Sequence, residues 1–292
     1  MGINDPVVTA QTPTDDFRIE QRWLLYTDEE HAIWRDLYRR QIRILNDRVV
    51  PEFHHGLQAL NLNEGGIPDL ERINERLLDL TGWQVISVPH LIPDDIFFEH
   101  LANRRFPAGR FIRNRRQMDY LQEPDIFHDV FGHVPLLTQP VFADYMEAYG
   151  IGGLRALRHD CLTNLARLYW YTVEFGLMNT KEGLKTYGAG IVSSRTESVF
   201  CLEDSSPNRL HFDLERVMQT DYCIDDFQQV YFVIDSFQEL FDATQVDFKP
   251  IYEHMSESDK VYGLTDILES DKVYTKGTQS YAKSGGRLAH AS

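Results

Sequence analysis

Two histidines and one isolated glutamate are the residues of this chain whose types and spacing best suit chemistry. His128 and His133 lie five residues apart in the segment EPDIFHDVFGHVP. Neutral imidazole is the commonest protein ligand of transition metals, but two imidazoles alone do not hold a catalytic metal, so a third ligand should follow. Glu174 is the best candidate, because it is the only charged residue between Arg167 and Lys181 and large apolar residues surround it. A carboxylate in such a setting is paired, protonated or bound to a metal.

This donor set suits more than one kind of protein. Two histidines and one carboxylate are the ligands of non-haem Fe(II) oxygenases, and they leave open positions on one face of the metal. Zinc accepts the same three ligands, so a zinc hydrolase is an alternative. A non-enzymatic helical protein is a third possibility, because most buried histidines and glutamates are satisfied structural groups rather than ligands.

Helical geometry sets a condition on the histidine pair. At about 100° per residue, positions i and i+5 lie roughly 140° apart around an α-helix. Both imidazoles can reach one metal only if the helix departs from this geometry. We therefore expect the helix to open near Gly132, and Pro135 shortly afterwards fits such an ending.

The elements that must position these residues are mostly helices with a few short strands. Thr27 and Glu30 form a capping-box pattern, and the apolar residues that follow recur on one helical face. Glycine spacing predicts a helix break at residues 151–153 and a turn with close backbone approach at residues 188–194. Helices are predicted from Thr27, after Pro51, over about 68–82, from Pro93, from Pro124, and over about 141–149, 160–178, 212–220 and 235–243; strands or extended segments are predicted over 83–88, 106–112 and 222–234.

Three segments together resemble the signature segments of the pterin-dependent aromatic amino acid hydroxylases. They are EPDIFHDVFGHVP, ARLYWYTVEFGL and YGAGIVSS, and their order and spacing also agree. The resemblance covers about residues 17–248 and is strongest to the short bacterial members that hydroxylate phenylalanine. It implies a mainly α fold, a single-domain basket of helices with a few short strands around a deep iron site. It further implies the conversion of L-phenylalanine to L-tyrosine with O2, with tyrosine or tryptophan hydroxylation as the alternatives.

The same resemblance implies the cofactors. Dioxygen activation needs two electrons, and the chain has no dinucleotide fingerprint with the correct spacing, so a bound organic reductant is required. The resemblance names this reductant as tetrahydrobiopterin or a related tetrahydropterin, acting beside Fe(II) held by His128, His133 and Glu174. Phe97 matches the residue that stacks on the pterin, with Ile92 beside it, and Asp129 matches an acidic residue that reaches the pterin.

Substrate contacts are assigned in the same way. Arg113, Arg115 and Arg116 cluster upstream of the histidines, and an arginine fork suits a carboxylate. Arg113 matches the clamp of the family, and we expect the other two arginines to be solvated. The resemblance implies Asp125 as the residue that orients Arg113, Ser193 as a hydroxyl contact, and a ring pocket of Pro124, His128, Trp170 and Ile224. Tyrosine-hydroxylating members have an aspartate where Ile224 aligns, so phenylalanine should be the best substrate; the alignment leaves Asp225 as an alternative match.

Composition limits the partners and the compartment. The formal net charge is −16 and the sequence pI is about 5.1, which disfavours binding to nucleic acid or to an anionic membrane surface. Three cysteines without a C-x-x-C pattern indicate a reduced, cytoplasmic protein. We expect residues 1–16 to be disordered and residues 249–292 to form a partly flexible extension after the catalytic domain at 17–248. The larger animal members add a regulatory domain before this core and an oligomerising helix after it, and neither is visible, which implies a monomer without that regulation. The expected partners are small molecules: L-phenylalanine, O2 and the tetrahydropterin.

Overall fold

Helices make up most of the regular structure of the chain, as apolar periodicity predicts. The computed structural model describes residues 5–119, 121, 123–159, 161–258 and 260–285. Within these residues, every helix is either too short or too polar to cross a lipid bilayer. The α-helices are α1 (Pro6–Thr9), α2 (Asp28–Leu45), α3 (Pro51–Ala59), α4 (Leu70–Thr81), α5 (Asp94–Ala102), α6 (Pro140–Ala156), α7 (Leu162–Tyr169), α8 (Ala189–Val192), α9 (Glu197–Glu203), α10 (Leu214–Met218), α11 (Phe237–Thr244), α12 (Phe248–Ser258) and α13 (Ser280–Lys283).

Within the described residues, two π-helices and four 3-10 helices lie between these α-helices. π-Helices form at Phe127–His133 and Trp170–Glu174, and both carry residues of the candidate metal site. The second π-helix continues directly from α7. The 3-10 helices are Trp23–Leu25, Arg115–Gln117, Val134–Thr138 and Leu157–His159.

The strands form two small sheets. In the first sheet β1 pairs in parallel with β2, with Gln84 opposite Arg105. The second sheet has the strand order β4-β3-β6-β5-β7, in which the central pairs β3–β6 and β5–β6 are parallel and the outer pairs are antiparallel. The strands are β1 (Gln84–Val88), β2 (Arg105–Gly109), β3 (Leu177–Thr180), β4 (Gly183–Thr186), β5 (Asn208–His211), β6 (Val230–Ile234) and β7 (Val273–Thr275).

Helix α2 shows how local sequence signals and burial agree. The Thr27 hydroxyl accepts from the Glu30 amide at 3.2 Å, and the Glu30 carboxylate accepts from the Thr27 amide at 2.7 Å. This confirms the predicted capping box. The inward face of the helix buries Ile33, Trp34, Leu37, Leu45 and one polar residue, Gln41.

The predicted break at residues 151–153 is wrong, because α6 runs through these residues to Ala156. Glycines serve a packing purpose here. A Cβ atom at Gly150 would lie 2.4 Å from the Ala102 backbone nitrogen, and one at Gly153 would lie 2.0 Å from the Phe98 ring. Since α5 and α6 approach so closely, only glycine fits, and the cost of glycine inside a helix is offset by this contact.

The helix predicted over 160–178 is wrong at its C-terminal end. Regular helix stops at Glu174, and Leu177–Thr180 is strand β3; residue 160 lies outside the described residues. The segment predicted as a turn at 188–194 contains the short helix α8. The close backbone approach expected there is confirmed, because a Cβ atom at Gly188 would lie 2.3 Å from the Glu174 carbonyl oxygen.

Both terminal segments pack on the domain where they are described. Asp5 caps α1 through the Val7 amide at 2.8 Å and pairs with the buried Arg110. Residues 260–285, which we call the C-terminal strap, add strand β7 and the buried ion pair of Arg216 with Asp271 at 2.9 Å. Residues 1–4 and 286–292, the ends of the segments predicted to be disordered or flexible, lie outside the described residues.

Candidate active site

The first π-helix provides the departure from α-helical geometry that lets both histidines reach one point. Its hydrogen bonds join residues five apart, so His128 and His133 lie one above the other instead of on opposite faces. Their Nε2 atoms are 3.2 Å apart. The helix therefore stays wound through Gly132, which corrects the expectation that it opens there.

The second π-helix brings a carboxylate to the same point. Glu174 Oε1 lies 3.2 Å from His133 Nε2, and Oε2 lies 3.7 Å from His128 Nε2. One donor atom from each of the three residues lies within 4.8 Å of the others. All three side chains are largely buried, with exposed fractions of 17% for His128, 5% for His133 and 12% for Glu174.

The pKa shifts of the three residues in this cluster differ in direction. Burial works against the charged form of every member, but Glu174 outweighs burial at His128 and raises the pKa of that imidazole. At His133 burial prevails and lowers the pKa of the ring. Burial would raise the pKa of Glu174, yet the two histidines hold it far below its usual range, so this carboxylate is ionised.

Ser193 fixes the orientation of His128. Its Oγ donates to the Ala189 carbonyl at 2.8 Å, so it must accept from His128 Nδ1, which lies 2.9 Å away. With the proton on Nδ1, the Nε2 lone pair is free and points at Glu174 and His133. Metal-ligating histidines are usually oriented in this way by a second hydrogen bond.

These features fit a metal ion with three protein ligands. Two imidazole nitrogens and one ionised carboxylate converge on a common point, and a metal with these three protein ligands keeps open positions. Metal–nitrogen bonds of about 2.1 Å at right angles place donors roughly 3.0 Å apart, close to the 3.2 Å seen between the two Nε2 atoms. The donors alone do not distinguish iron from zinc.

The arginine predicted as a carboxylate clamp is held firmly. Arg113 Nε and Nη2 each donate to an oxygen of Asp125 at 2.8 Å, and the Arg113 amide donates to the same carboxylate at 2.9 Å. Asp125 is fully buried, and despite that burial the Arg113 guanidinium lowers the pKa of Asp125. Arg115 and Arg116 are exposed, so the expectation that only one arginine of the cluster is enclosed is confirmed.

Trp170, which opens the second π-helix, packs against the loop after α10. The indole stacks on Phe175 at 4.8 Å and on Tyr222 at 4.4 Å between ring centroids. We call residues 221–228 the wall loop. Gln228, which is 1% exposed, accepts from the Trp170 indole nitrogen at 3.1 Å and from the Cys223 amide at 3.3 Å.

Ile224 is the predicted substrate contact that the structure does not enclose. Its side chain is 73% exposed on the wall loop, and Asp225 beside it is exposed as well. Neither residue is therefore buried as a pocket wall would be. Pro124, by contrast, is partly buried, and its carbonyl oxygen lies against Gly109 on β2.

The residues predicted for the pterin lie along α5 and the first π-helix. Asp129 accepts from the Gly109 amide at 2.7 Å, and burial raises the pKa of Asp129 to about 7. Phe97 is half-buried, with its ring 6.1 Å from that of Tyr169. The Tyr169 ring in turn lies 6.2 Å from that of His133, and Ile92 is partly exposed.

A sequence model of the biopterin-dependent aromatic amino acid hydroxylases matches residues 17–263. The chain belongs to this family. The phenylalanine-4-hydroxylase of Caulobacter vibrioides is 64% identical over 276 residues, which are 94% of this chain and 94% of that one. The phenylalanine-4-hydroxylase of Ralstonia nicotianae is 56% identical over 92% of this chain and 86% of its own length.

Solved structures agree with this assignment to the hydroxylases. Chromobacterium violaceum phenylalanine hydroxylase with bound iron and phenylalanine superposes with a TM-score of 0.89 at 50% identity, covering 94% of this chain and 100% of that chain. The same enzyme with oxidised Fe(III) superposes with a TM-score of 0.88 at 53% identity, covering 91% of this chain and 97% of that chain. The predicted family, the mainly helical fold and the pterin-dependent iron monooxygenase class are confirmed.

Three residues of this hydroxylase site carry contacts that the sequence reading missed. Tyr169 links the Phe97 side to His133, Gln228 holds Trp170, and Gln41 contacts the segment around Ser193. The buried position of Gln41 on an otherwise apolar helix face was a usable signal, because a buried amide must find partners. Nothing in the local sequence marks the partners themselves.

Proposed function

We propose that this chain converts L-phenylalanine to L-tyrosine with O2 and a tetrahydropterin at a single Fe(II). The observation that carries the proposal is the convergence of His128, His133 and Glu174 on one point in a member of this family. The chain is 64%, 56% and 53% identical to relatives named phenylalanine-4-hydroxylase. The names of these relatives support phenylalanine, rather than tyrosine or tryptophan, as the substrate of this chain.

The three converging side chains would hold the iron. When bound, Fe(II) and the tetrahydropterin supply dioxygen activation, with one oxygen atom entering the ring and the pterin giving two electrons. His128 presents a bare Nε2 because Ser193 holds the proton on Nδ1. Ser193 thus acts on His128 in this proposal, in addition to the substrate contact that the resemblance implies. Glu174 supplies the negative charge that favours a divalent cation over neutral water.

Arg113 would bind the substrate carboxylate. One edge of its guanidinium, formed by Nε and Nη2, is committed to Asp125, which fixes the plane of the fork and leaves Nη1 for the ligand. Since Asp125 stays ionised, the clamp does not need to reorganise when a carboxylate arrives. The aromatic ring would then lie against Pro124, His128 and Trp170, and Ile224 would contact it only if the wall loop moves inward.

The pterin would bind on the α5 side of the metal. Phe97 offers a ring face for stacking, Ile92 lies just before the helix that carries Phe97, and Asp129 holds the Gly109 amide near the first ligand. In this arrangement Phe97 and Asp129 would hold the pterin, while Arg113 and Trp170 would hold the amino acid. This placement excludes water from the reacting atoms, which protects the oxidising species.

The remaining proposals concern the whole chain. We propose that the helices form a basket around a deep iron site, with residues 17–248 as the catalytic domain and 249–292 as an extension. The protein acts as a cytoplasmic monomer on small molecules, without nucleic-acid or membrane partners. The net charge of −16 supports the last point, because it repels polyanions.

Product analysis together with steady-state kinetics tests the function. Anaerobic protein is loaded with Fe(II), mixed with tetrahydropterin and phenylalanine, and exposed to oxygen; parallel samples contain tyrosine, tryptophan or Zn(II). We expect tyrosine from phenylalanine in the iron sample, a lower specificity constant for the other two amino acids, and no product with zinc. A higher specificity constant for tyrosine would overturn the substrate assignment and point to Asp225 at the pocket. The absence of any hydroxylated product from iron-loaded protein would overturn the function.

A further inference from the structure

Gln41 is the buried polar residue of helix α2 that faces the loop next to the metal site. Its side chain is fully buried, 0% exposed, among the apolar residues of the inward face. The Nε2 atom donates to the Val192 carbonyl at 2.8 Å and to the Ser194 carbonyl at 3.2 Å. These two carbonyls flank Ser193 on either side in the chain.

The amide group therefore spans the peptide segment that carries the Ser193 hydroxyl. Because two carbonyl oxygens face Gln41, only the NH2 end of its amide can occupy this position. Oε1 of the same amide is buried and has no hydrogen-bond partner among the described residues. Burying an unsatisfied acceptor is unfavourable, so its retention indicates that the two donated bonds matter.

Ser193 passes this constraint to the metal ligand. Its Oγ donates to Ala189 and accepts from His128 Nδ1, so the position of Oγ sets both the tautomer and the tilt of the imidazole. The connection from α2 to the metal site thus has two steps, Gln41 to the Ser193 backbone and Ser193 to His128. Gln41 and His128, at the two ends of this connection, are 87 positions apart in the sequence.

We infer that Gln41 is a positioning residue that holds Ser193 in place to orient His128 for metal binding. The inference rests on the proposed role of His128 as a ligand. A group that bonds a metal ligand directly, as Ser193 does, typically contributes about 10- to 100-fold to metal affinity, and Gln41 acts one step further out. The role is separate from fold stability, because α2 has a large apolar face that packs without this amide.

The test measures Co(II) affinity of the metal-free protein by competition with a chelator, together with thermal unfolding of the same samples. We expect Gln41→Met to weaken Co(II) binding about tenfold and Gln41→Glu to weaken it more, because a carboxylate would face two carbonyl oxygens. Ile33→Val, a mild change on the same buried helix face, is the matched control. It should lower the unfolding temperature without changing Co(II) affinity.

A double-mutant cycle with Ser193→Ala gives the decisive readout. If Gln41 acts through Ser193, the double variant binds Co(II) no more weakly than Ser193→Ala alone. Additive losses, or unchanged affinity in Gln41→Met, would overturn the inference. His128→Ala separates this failure from failure of the metal site itself, since wild-type affinity in that variant would show that His128 is not a ligand.

Discussion

The metal corner and the wall loop are held in different ways. At the metal corner, His128, His133 and Glu174 belong to two hydrogen-bonded π-helices, and all three side chains are largely buried. The wall loop has no regular structure in its centre, and Ile224 on it is 73% exposed. Its position depends on side chains, chiefly Gln228 on its inner side and Tyr281 on its outer side.

The supports of the wall loop come from distant parts of the chain. Gln228 bonds both Trp170 and Cys223, while the Tyr281 hydroxyl donates to Asp226 at 2.6 Å from the C-terminal strap. The Phe227 ring also packs against Tyr281 at 5.2 Å. The difference teaches that the three converging side chains are placed by backbone geometry, whereas the wall loop is held in place by a few side-chain contacts.

Arg113→Lys should give the largest effect among the substrate contacts. Lysine keeps the charge but cannot bond both Asp125 oxygens and still present a flat fork to a carboxylate. We expect the Michaelis constant for phenylalanine to rise at least about tenfold, with that for the pterin unchanged, in steady-state kinetics. Arg116→Lys, at an exposed position, is the control. An unchanged constant for phenylalanine in the Arg113 variant would assign the clamp to another residue.

The sequence predicted the metal corner better than the wall. The three residues that converge were identifiable because histidine and an isolated glutamate are rare in apolar surroundings, and local caps such as Thr27 with Glu30 mark helix starts. The π-helices were not predictable, because apolar periodicity does not distinguish windings of 3.6 residues per turn from wider ones. The hydrogen bond from Trp170 to Gln228 joins residues that are 58 apart in the sequence, so no local sequence pattern marks it.

Gln228→Leu should separate the two regions. Leucine fills the space but leaves the Trp170 indole nitrogen and the Cys223 amide without their acceptor, so the wall loop loses its inner support. We expect kcat/KM for phenylalanine to fall about tenfold while iron content stays at the wild-type level. Gln238→Leu changes an exposed glutamine on α11, outside the wall loop, and it should leave kcat/KM unchanged. Loss of iron in the Gln228 variant would contradict the independence of the two regions.

Glu197 bonds the end of the wall loop, and its expected effect is on the pH dependence of stability and not on catalysis. It accepts from the Gln228 amide at 3.4 Å and from the Tyr231 hydroxyl, and burial raises the pKa of Glu197 to about 7. In the unfolded chain the pKa of the same carboxyl is about 4.3. Between these two pH values the Glu197 carboxyl keeps its proton in the folded state only. The protonated carboxyl therefore contributes fully to stability below about pH 4.3, and this contribution is lost as the pH rises to about 7.

Glu197→Gln should remove this dependence. The neutral amide still accepts from Tyr231, so the variant should gain stability relative to wild type as pH rises, by up to on the order of 3 kcal/mol above about pH 7. Urea unfolding at several pH values measures it, with the exposed Glu182→Gln as the control. Parallel pH profiles for wild type and the Glu197 variant would show that this carboxyl does not titrate in the window.

Iron content of Glu174→Gln tests the central claim most directly. The substitution preserves volume and removes the charge, so the fold should survive while the three-ligand face is lost. After anaerobic reconstitution and desalting, we expect one iron per wild-type chain and per Glu182→Gln control chain. The Glu174 variant should retain almost no iron, with the thermal unfolding of the metal-free protein little changed. A Glu174→Gln protein with full iron content and full turnover would contradict the account.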